Sequence, residues 1–191
     1  MANILAAYST GMALGIAPDT VARGIAAVAS VRGRFEQIPS PHGWTAVVDY
    51  AHTPDALENC LRTIRELLPR GGGARILTVF GCGGNRDRGK RPIMGRIAGD
   101  RSDVIIVTSD NPRKENPESI IDEILAGMPP GKPVRREANR HTAIRLALGE
   151  ARRGDVVLIA GKGHEDYQVV GDARHHFDDR EEVESYIREN R

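Results

Sequence analysis

The sequence predicts an α/β fold: a mainly parallel sheet with helices on both faces, followed by a C-terminal β-hairpin. Three observations carry that expectation. Short runs of β-branched and aliphatic residues, such as Val104–Thr108 and Val156–Ala160, alternate with longer amphipathic stretches, which is the rhythm of strand–helix–strand crossovers. Pro54, Pro92 and Pro117 each stand where a helix would begin. The first helical turn tolerates proline because its N–H groups have no partner inside the helix. Finally, several apolar runs break abruptly into loops of glycine, acid, amide and arginine, as buried parallel strands do where their carboxyl ends open onto a ligand crevice.

Taken in order, residues 2–15 carry apolar groups at helical spacing and stop at Gly15, and Pro18-Asp19 opens a second helix ending near Ala29. This Ala-rich pair has little strand character. Arg32-Gly33-Arg34-Phe35-Glu36 then breaks the pattern, and a domain boundary is placed there, between 1–32 and 33–191. The expected elements that follow are a strand Thr45–Asp49, a helix from Pro54 to about Leu68, a strand Arg75–Phe80 and a helix from about Arg91 to Ala98. Next come a strand Val104–Thr108, a helix from Pro117 to Ala126, a short strand near Val134, a helix Arg140–Glu150 capped by Asn139, and a strand Val156–Ala160. Gln168–Val170 and Arg174–Phe177, parted by Gly171-Asp172, read as a hairpin. Asp179 with Glu182 three residues on reads as a capping box for a last helix, with Val183 and Ile187 facing inward.

Composition narrows the class. Lys and Arg number 27 against 26 Asp and Glu, a formal net charge of +1, so electrostatics argues for neither nucleic acid nor a membrane surface as partner. Cys60 and Cys82 are too few, and wrongly spaced, for a disulfide framework or a metal site. With no signal peptide and no apolar run of membrane-spanning length, a cytoplasmic location is expected. Met1-Ala2-Asn3 leads straight into a helix already under way, which is compatible with a natural start and equally with a chain cut from a longer one.

The chemistry is expected in four loops at one sheet edge: Asp49–Pro54, Gly81–Asp87, Asp110–Arg113 and Gly161–Asp166. Gly84 to Lys90 has the spacing of a phosphate-binding P-loop, but Arg91 stands where a Ser or Thr should hold Mg²⁺ and Pro92 follows. An anion-receptive loop fits better, its glycines presenting N–H groups and Arg86 a guanidinium. Asn111 offers both donor and acceptor, Pro112 stiffens its loop, and Arg113 provides a planar fork suited to a carboxylate. Gly161 allows close backbone approach and Glu165 can accept from an ammonium. Arg86, Arg113 and Glu165 together suit a zwitterion. Each loop could instead be a turn with solvated charges; Lys162 and His164 are expected to be surface polar residues, and Cys82 a small space-filler. Asp49 could take a ribose hydroxyl and His52 could lie near a base or phosphate, or merely pack at a helix start. No catalytic triad is present. The adjacent His175 and His176 alternate across a strand and cannot share one face of a metal site.

With these stretches in hand, the chain resembles the C-terminal part of the Mur ligases, in the branch that adds diaminopimelate. The resemblance rests on Arg32–Glu36, Asp49-Tyr50-Ala51-His52-Thr53-Pro54-Asp55, Phe80–Asp87, Asp110-Asn111-Pro112-Arg113 and Gly161-Lys162-Gly163-His164-Glu165-Asp166, in the family's order across nearly the whole chain. It implies a Rossmann-like domain preceded by a helical remnant of the central ATPase domain. It also implies a three-domain, ATP- and Mg²⁺-dependent amide ligase of peptidoglycan synthesis, acting on a UDP-linked muramoyl dipeptide through an acyl phosphate. Carried over by position, Arg86, Asp110, Asn111, Pro112, Arg113, Gly161 and Glu165 would contact meso-diaminopimelate. Arg34, Asp49 and His52 would reach ATP when the domains close. The Asp110–Arg113 sequence is the form associated with diaminopimelate rather than lysine. No catalytic or metal-ligating residue is carried over. The sequence departs from the family's full pattern in lacking an intact P-loop, the central-domain metal carboxylates and lysine, and the UDP-sugar domain. The expectation is a part that binds no nucleotide tightly and does not ligate alone, its missing N-terminal and central domains being its partners.

Two competing readings are a stand-alone module binding a dicarboxylic amino acid without catalysis, and a nicotinamide-type oxidoreductase domain. The second wants a Gly-x-Gly-x-x-Gly turn after the first strand, where Tyr50-Ala51-His52-Thr53 stands instead.

Overall fold

The computed structural model describes residues 2–28, 30–69 and 71–190, and the chain divides into two compact units, Met1–Val31 and Arg32–Arg191. In the first, helices α1 (Ala2–Ala13) and α2 (Pro18–Ala27) pack against each other. A side chain at Gly11 would stand 2.7 Å from Val21 Cγ2, so the missing Cβ sets how closely the helices approach. The first helix ends two residues before Gly15, which turns the chain at φ +75°. The end of the second helix expected near Ala29 lies outside the described residues.

The second unit is built on a six-stranded sheet: β1 (Glu36–Pro39), β2 (Thr45–Asp49), β3 (Ile76–Phe80), β4 (Val104–Thr108), β5 (Arg135–Glu137) and β6 (Val156–Ala160). The strand order is β1-β2-β6-β3-β4-β5, and only β1 runs antiparallel to its neighbour. Helices α3 (Pro54–Leu67), α4 (Lys90–Arg101), α5 (Pro117–Leu125), α6 (Arg140–Glu150) and α7 (Asp179–Glu189) cover it, and β7 (Tyr167–Val170) pairs with β8 (Ala173–His176) in the expected hairpin.

Strand residues alternate between two cores. Val47, Ile76, Phe80, Ile105 and Val107 meet α3, α4 and α5, whereas Ala46, Val48, Leu77, Val79 and Ile106 meet α6 and α7. Topology explains the segregation. From β3 the chain steps outward to β4 and β5, then returns to insert β6 between β2 and β3. Reversing direction across the sheet with right-handed crossovers sends α6 to the opposite face from α4 and α5. Local chemistry sets the helix starts. Thr53 accepts from Ala56 N at 3.3 Å and Asn116 from Glu118 N at 2.9 Å, each immediately before a proline at the first helical position. Asn139 caps α6 as expected, accepting from Thr142 N at 3.1 Å. On α3, Leu57, Leu61 and Ile64 are buried, each contributing roughly 1.5–3 kcal/mol relative to exposure.

Glu36–Pro39, for which no element is expected, is an edge strand whose pairing depends on β2. Pro92 lies in the first turn of α4, as expected, and as its third residue its missing N–H falls among the unpaired donors there. The cap of α7 is Asp178, which accepts from Arg180 N at 2.9 Å and Glu181 N at 3.4 Å. Asp179 is instead wholly buried and pairs in bidentate fashion with the equally buried Arg140, both contacts at 2.8 Å. Arg140 also donates to Ala160 O at 3.1 Å and Ser109 O at 3.4 Å, tying α6 and α7 to the carboxyl ends of β6 and β4.

Removing one member of that pair strands a charge in the core. Asp179→Asn is expected to lower stability by about 3–5 kcal/mol, while Arg140→Met with Asp179→Leu recovers most of the loss. Denaturant unfolding of the two variants against wild type measures the difference.

Candidate functional site

The strand register sets the site. Asp49 and Phe80 flank Ala160, and Phe80 lies beside Val107, so the chain leaves β2, β3, β4 and β6 at nearly one level. The four following loops border a single cavity of about 590 Å³, lined among others by Tyr50, His52, Arg86, Asp110, Asn111, Arg113, Gly161 and Glu165. It lies beside the place where β6 interrupts the outward progression of strands, which is where open α/β sheets hold ligands. A larger hollow of about 800 Å³ lies at the opposite end of the strands, among Arg62, Arg65, Asp103 and Lys132. Its charges already neutralise one another in part, Arg65 meeting Asp103 at 2.7 Å.

Asn111 is the tie between loops. Its Oδ1 accepts from Val169 N at 2.9 Å and Lys162 Nζ at 3.2 Å, and its Nδ2 donates to Glu165 Oε2 at 3.0 Å. Two donors on one side and a carboxylate on the other leave one orientation for the amide. Its carbonyl accepts from Gly84 N at 2.9 Å, joining the glycine loop. Pro112, expected to stiffen this loop, is buried with its carbonyl 1.9 Å from where a Gly84 Cβ would stand, so only glycine lets the two loops touch.

Arg113 has a left-handed backbone, φ +52°, held from both sides by the hairpin: its N–H donates to Val169 O at 3.0 Å and its carbonyl accepts from Gly171 N at 2.7 Å. Its Nη1 donates to Gly84 O at 2.9 Å and to Asn111 O at 3.4 Å; Nε and Nη2 have no protein acceptor among the described residues. Gly83 lies between the two arginines: a Cβ there would meet Arg113 Nη1 at 2.9 Å and Arg86 Cγ at 3.7 Å. Arg86 is exposed on the cavity rim. The cavity is lined by carboxylates as well, those of Asp110 and Glu165. Asp110 is 7% exposed, and its Oδ2 lies 2.7 Å from where a Cβ on Gly161 would be. Gly161 has φ +121°, so a side chain there would meet both strain and a carboxylate.

On the β2 side, Asp49 Oδ2 accepts from Phe35 N at 2.7 Å, which draws the arm bearing Arg34 onto the sheet edge. Burial pushes the Asp49 carboxyl above its ordinary range. Arg34 is exposed, with its guanidinium 4.9 Å from the centre of the Tyr50 ring. His52 is exposed, yet its ring packs against that of Tyr50 with centroids 4.5 Å apart, and its Nδ1 lies 2.8 Å from Tyr50 O. Sequence reasoning missed Tyr50, whose hydroxyl points to Glu165 Oε1 at 3.5 Å, and Tyr167, which also lines the cavity. An aromatic side chain in a strand-end loop was the available signal. It also misplaced Lys162, which is wholly buried and 3.5 Å from Glu165 Oε2. His164 is exposed, as expected. Cys82 fills space against Met94 Sδ at 3.7 Å, and burial pushes its thiol up to about 12, too high for a nucleophile near neutral pH. Among the described residues, no three His, Cys, Asp or Glu side chains gather as metal ligands.

The glycine loop is braced from behind. Arg91, at the position that ruled out a P-loop, is wholly buried and donates to both oxygens of Glu115 at 2.9 and 3.0 Å, to Glu123 at 2.9 Å and to Gly83 O at 3.3 Å. Glu115 in turn accepts from Asn85 N. Hydrogen bonds from Arg91 and from Asn85 hold the Glu115 carboxyl down to about 2. A depressed carboxyl contributes stability that is present above its ordinary value of 4.5 and is lost as pH falls towards 2. Glu115→Gln is therefore expected to be less stable at neutral pH and to show a shallower fall in stability across that acid window, measured by denaturant titrations at stepped pH.

The comparisons with known proteins agree with this geometry. The family description "Mur ligase, glutamate ligase domain" matches residues 33–163. A UDP-N-acetylmuramoyl-L-alanyl-D-glutamate–2,6-diaminopimelate ligase from Geobacter metallireducens is 52% identical over 203 residues, covering 98% of this chain and 39% of the relative. Its counterpart from Gloeobacter violaceus is 50% identical, covering 100% and 38%. The chain thus spans well under half the length of these relatives. A solved structure of a 2,6-diaminopimelate ligase of the same description superposes with a TM-score of 0.77 at 39% identity, over 98% of this chain and 38% of that one. The UDP-N-acetylmuramate–alanine ligase of Thermotoga maritima, at 19% identity and a TM-score of 0.64, shares the fold. The matched family description, the identity over nearly the whole chain and the superposed fold lead to one conclusion: the chain belongs to the Mur ligase family and carries that family's C-terminal domain.

Proposed function

We propose that residues 33–191 form the amino-acid-receiving domain of an ATP-dependent ligase that adds meso-diaminopimelate to UDP-N-acetylmuramoyl-L-alanyl-D-glutamate, and that residues 1–32 end its central ATPase domain. The observation that carries this reading is the set of charges lining the strand-edge cavity: Arg86 and Arg113 together with Asp110 and Glu165. An amino acid with two carboxylates and two amines matches it. Arg113, with free donors in a partly closed site, discriminates against lysine, which would leave those donors unpaired. Asp110 and Glu165 accept from ammonium groups. The 2,6-diaminopimelate ligases named above support the same substrate.

In the reaction this assigns, the γ-phosphoryl group of ATP passes to the dipeptide carboxylate, giving an acyl phosphate and ADP. The diaminopimelate amine, having lost a proton, attacks the acyl carbon, and the C–O bond to phosphate breaks. This chain's part is to hold the amine donor at a fixed place. His52 lines the cavity on the β2 side and Arg34 stands over the ring of Tyr50, which lines it too; a guanidinium and an imidazole suit a nucleotide's phosphates and base. Asp49 ends β2, its Oδ2 already engaged with Phe35 N. Mg²⁺ offsets phosphate charge in such transfers, and its ligands are assigned to the central domain.

Calorimetric titration of the chain with meso-diaminopimelate and with lysine is the direct test. Wild type is expected to prefer diaminopimelate, and Arg113→Ala to lose roughly 1.5–3 kcal/mol of that preference, the worth of a charged hydrogen bond. Equal affinity of wild type for the two amino acids would sink the substrate assignment. The 191 residues alone are expected to release no ADP from ATP in response to diaminopimelate and the muramoyl dipeptide; a coupled ADP assay showing turnover would refute the division of labour.

A further inference from the structure

Lys162 has no part in the reading above, yet a wholly buried ammonium beside the cavity calls for a purpose. Its Nζ lies 3.2 Å from Asn111 Oδ1, 3.5 Å from Glu165 Oε2 and 5.5 Å from the centre of the Tyr167 ring. All its polar contacts thus fall on groups that shape the site, and none on solvent.

Glu165 shows what these contacts achieve. Its Oε2 is engaged twice, by Asn111 Nδ2 at 3.0 Å and by Lys162. Among the described residues its Oε1 meets only the Tyr50 hydroxyl, at 3.5 Å. One carboxylate oxygen is therefore anchored inward and the other presented to the cavity. We propose that Lys162 is a positioning residue, which pins the inner oxygen of Glu165 and the amide of Asn111 so that the outer oxygen of Glu165 accepts from the ammonium of the incoming amino acid. This rests on the diaminopimelate reading for the identity of the ligand, but the pinning itself belongs to the protein without ligand.

Burial pushes Lys162 below the ordinary lysine range and Arg140 pushes it further, while Asp110, Asp179 and Glu165 pull it back. Deleting the charge would leave Glu165 with a neutral amide as its only strong inner partner, free to swing outward. Val169 N would still hold Asn111, so the loss should fall on the position of Glu165 more than on the fold.

The test has two arms on the 191-residue chain. Without ligand, the Lys162 side chain is titrated by heteronuclear NMR in wild type and in Glu165→Gln. Its midpoint is expected to fall in the variant, and an unmoved midpoint overturns the proposed contact. With meso-diaminopimelate as probe, calorimetry compares Lys162→Met, Glu165→Gln and the double variant. Lys162→Met is expected to weaken binding roughly tenfold, the loss of one charge-assisted contact, with the double variant no weaker than Glu165→Gln alone. Wild-type affinity in a folded Lys162→Met, or penalties that multiply in the double variant, would overturn the assignment. Should Lys162→Met fail to fold, Lys162→Gln keeps a donor for Asn111 without the charge and is held to the same outcomes. Wild type that ignores diaminopimelate counts against the substrate reading, and the ligand-free titration then decides the positioning role by itself.

Discussion

The side chain of Asn111 is the contact on which the site depends. Three segments meet on this residue: the glycine loop through its backbone carbonyl, the hairpin through Val169 N, and the Gly161–Asp166 loop through Lys162 and Glu165 on its amide. A buried amide with its donors and acceptors satisfied by different loops is satisfied in one arrangement only. That arrangement fixes where Arg113 begins its left-handed turn and where Glu165 aims. The hairpin thereby gains a function beyond its own two strands, since β7 holds both Asn111 and the backbone of Arg113.

Around this tie the protein buries three cations, Arg91, Arg140 and Lys162, all wholly covered and all at the carboxyl edge of the sheet. Arg91 and Arg140 stand in the first turns of α4 and α6, where the helix dipole disfavours positive charge. Each is therefore held by carboxylates, Glu115 and Glu123 for the first and Asp179 for the second. Such pairs add little net stability, because desolvation offsets most of the attraction. What they do add is placement. Arg91 fixes the carbonyl of Gly83, and Arg140 fixes those of Ser109 and Ala160. The loops that carry the cavity-lining charges thus rest on ion pairs that cannot shift without exposing a buried charge. Close packing completes the constraint where Gly84 meets the carbonyl of Pro112.

Much of the fold was legible in short windows. The strands Thr45–Asp49, Val104–Thr108 and Val156–Ala160 and the helix Arg140–Glu150 match their expected bounds, because apolar runs and caps such as Asn139 are local signals. The convergence of Arg86, Arg113 and Glu165 was legible too, since a parallel sheet brings all its strand ends to one edge. The strand Glu36–Pro39 was not, because four residues with one buried side chain acquire strand character only from pairing with β2. Lys162 and Asp179 were misread for a related reason. Charged residues are placed on the surface by default, and both are buried beside partners distant in sequence.

The order of secondary structure, the edge at which chemistry collects and the kinds of charge gathered there were determined by the sequence alone, through periodicity, capping and loop composition. Only the tertiary structure decided which atoms of those residues remain available: the outer oxygen of Glu165, the unpaired donors of Arg113 and the exposed guanidinium of Arg86. The physical reason is separation along the chain. Asn111 receives Lys162 from 51 residues away, meets Glu165 at 54 and Val169 at 58. No local pattern can say which donors will be spent on such distant neighbours and which are left for a ligand.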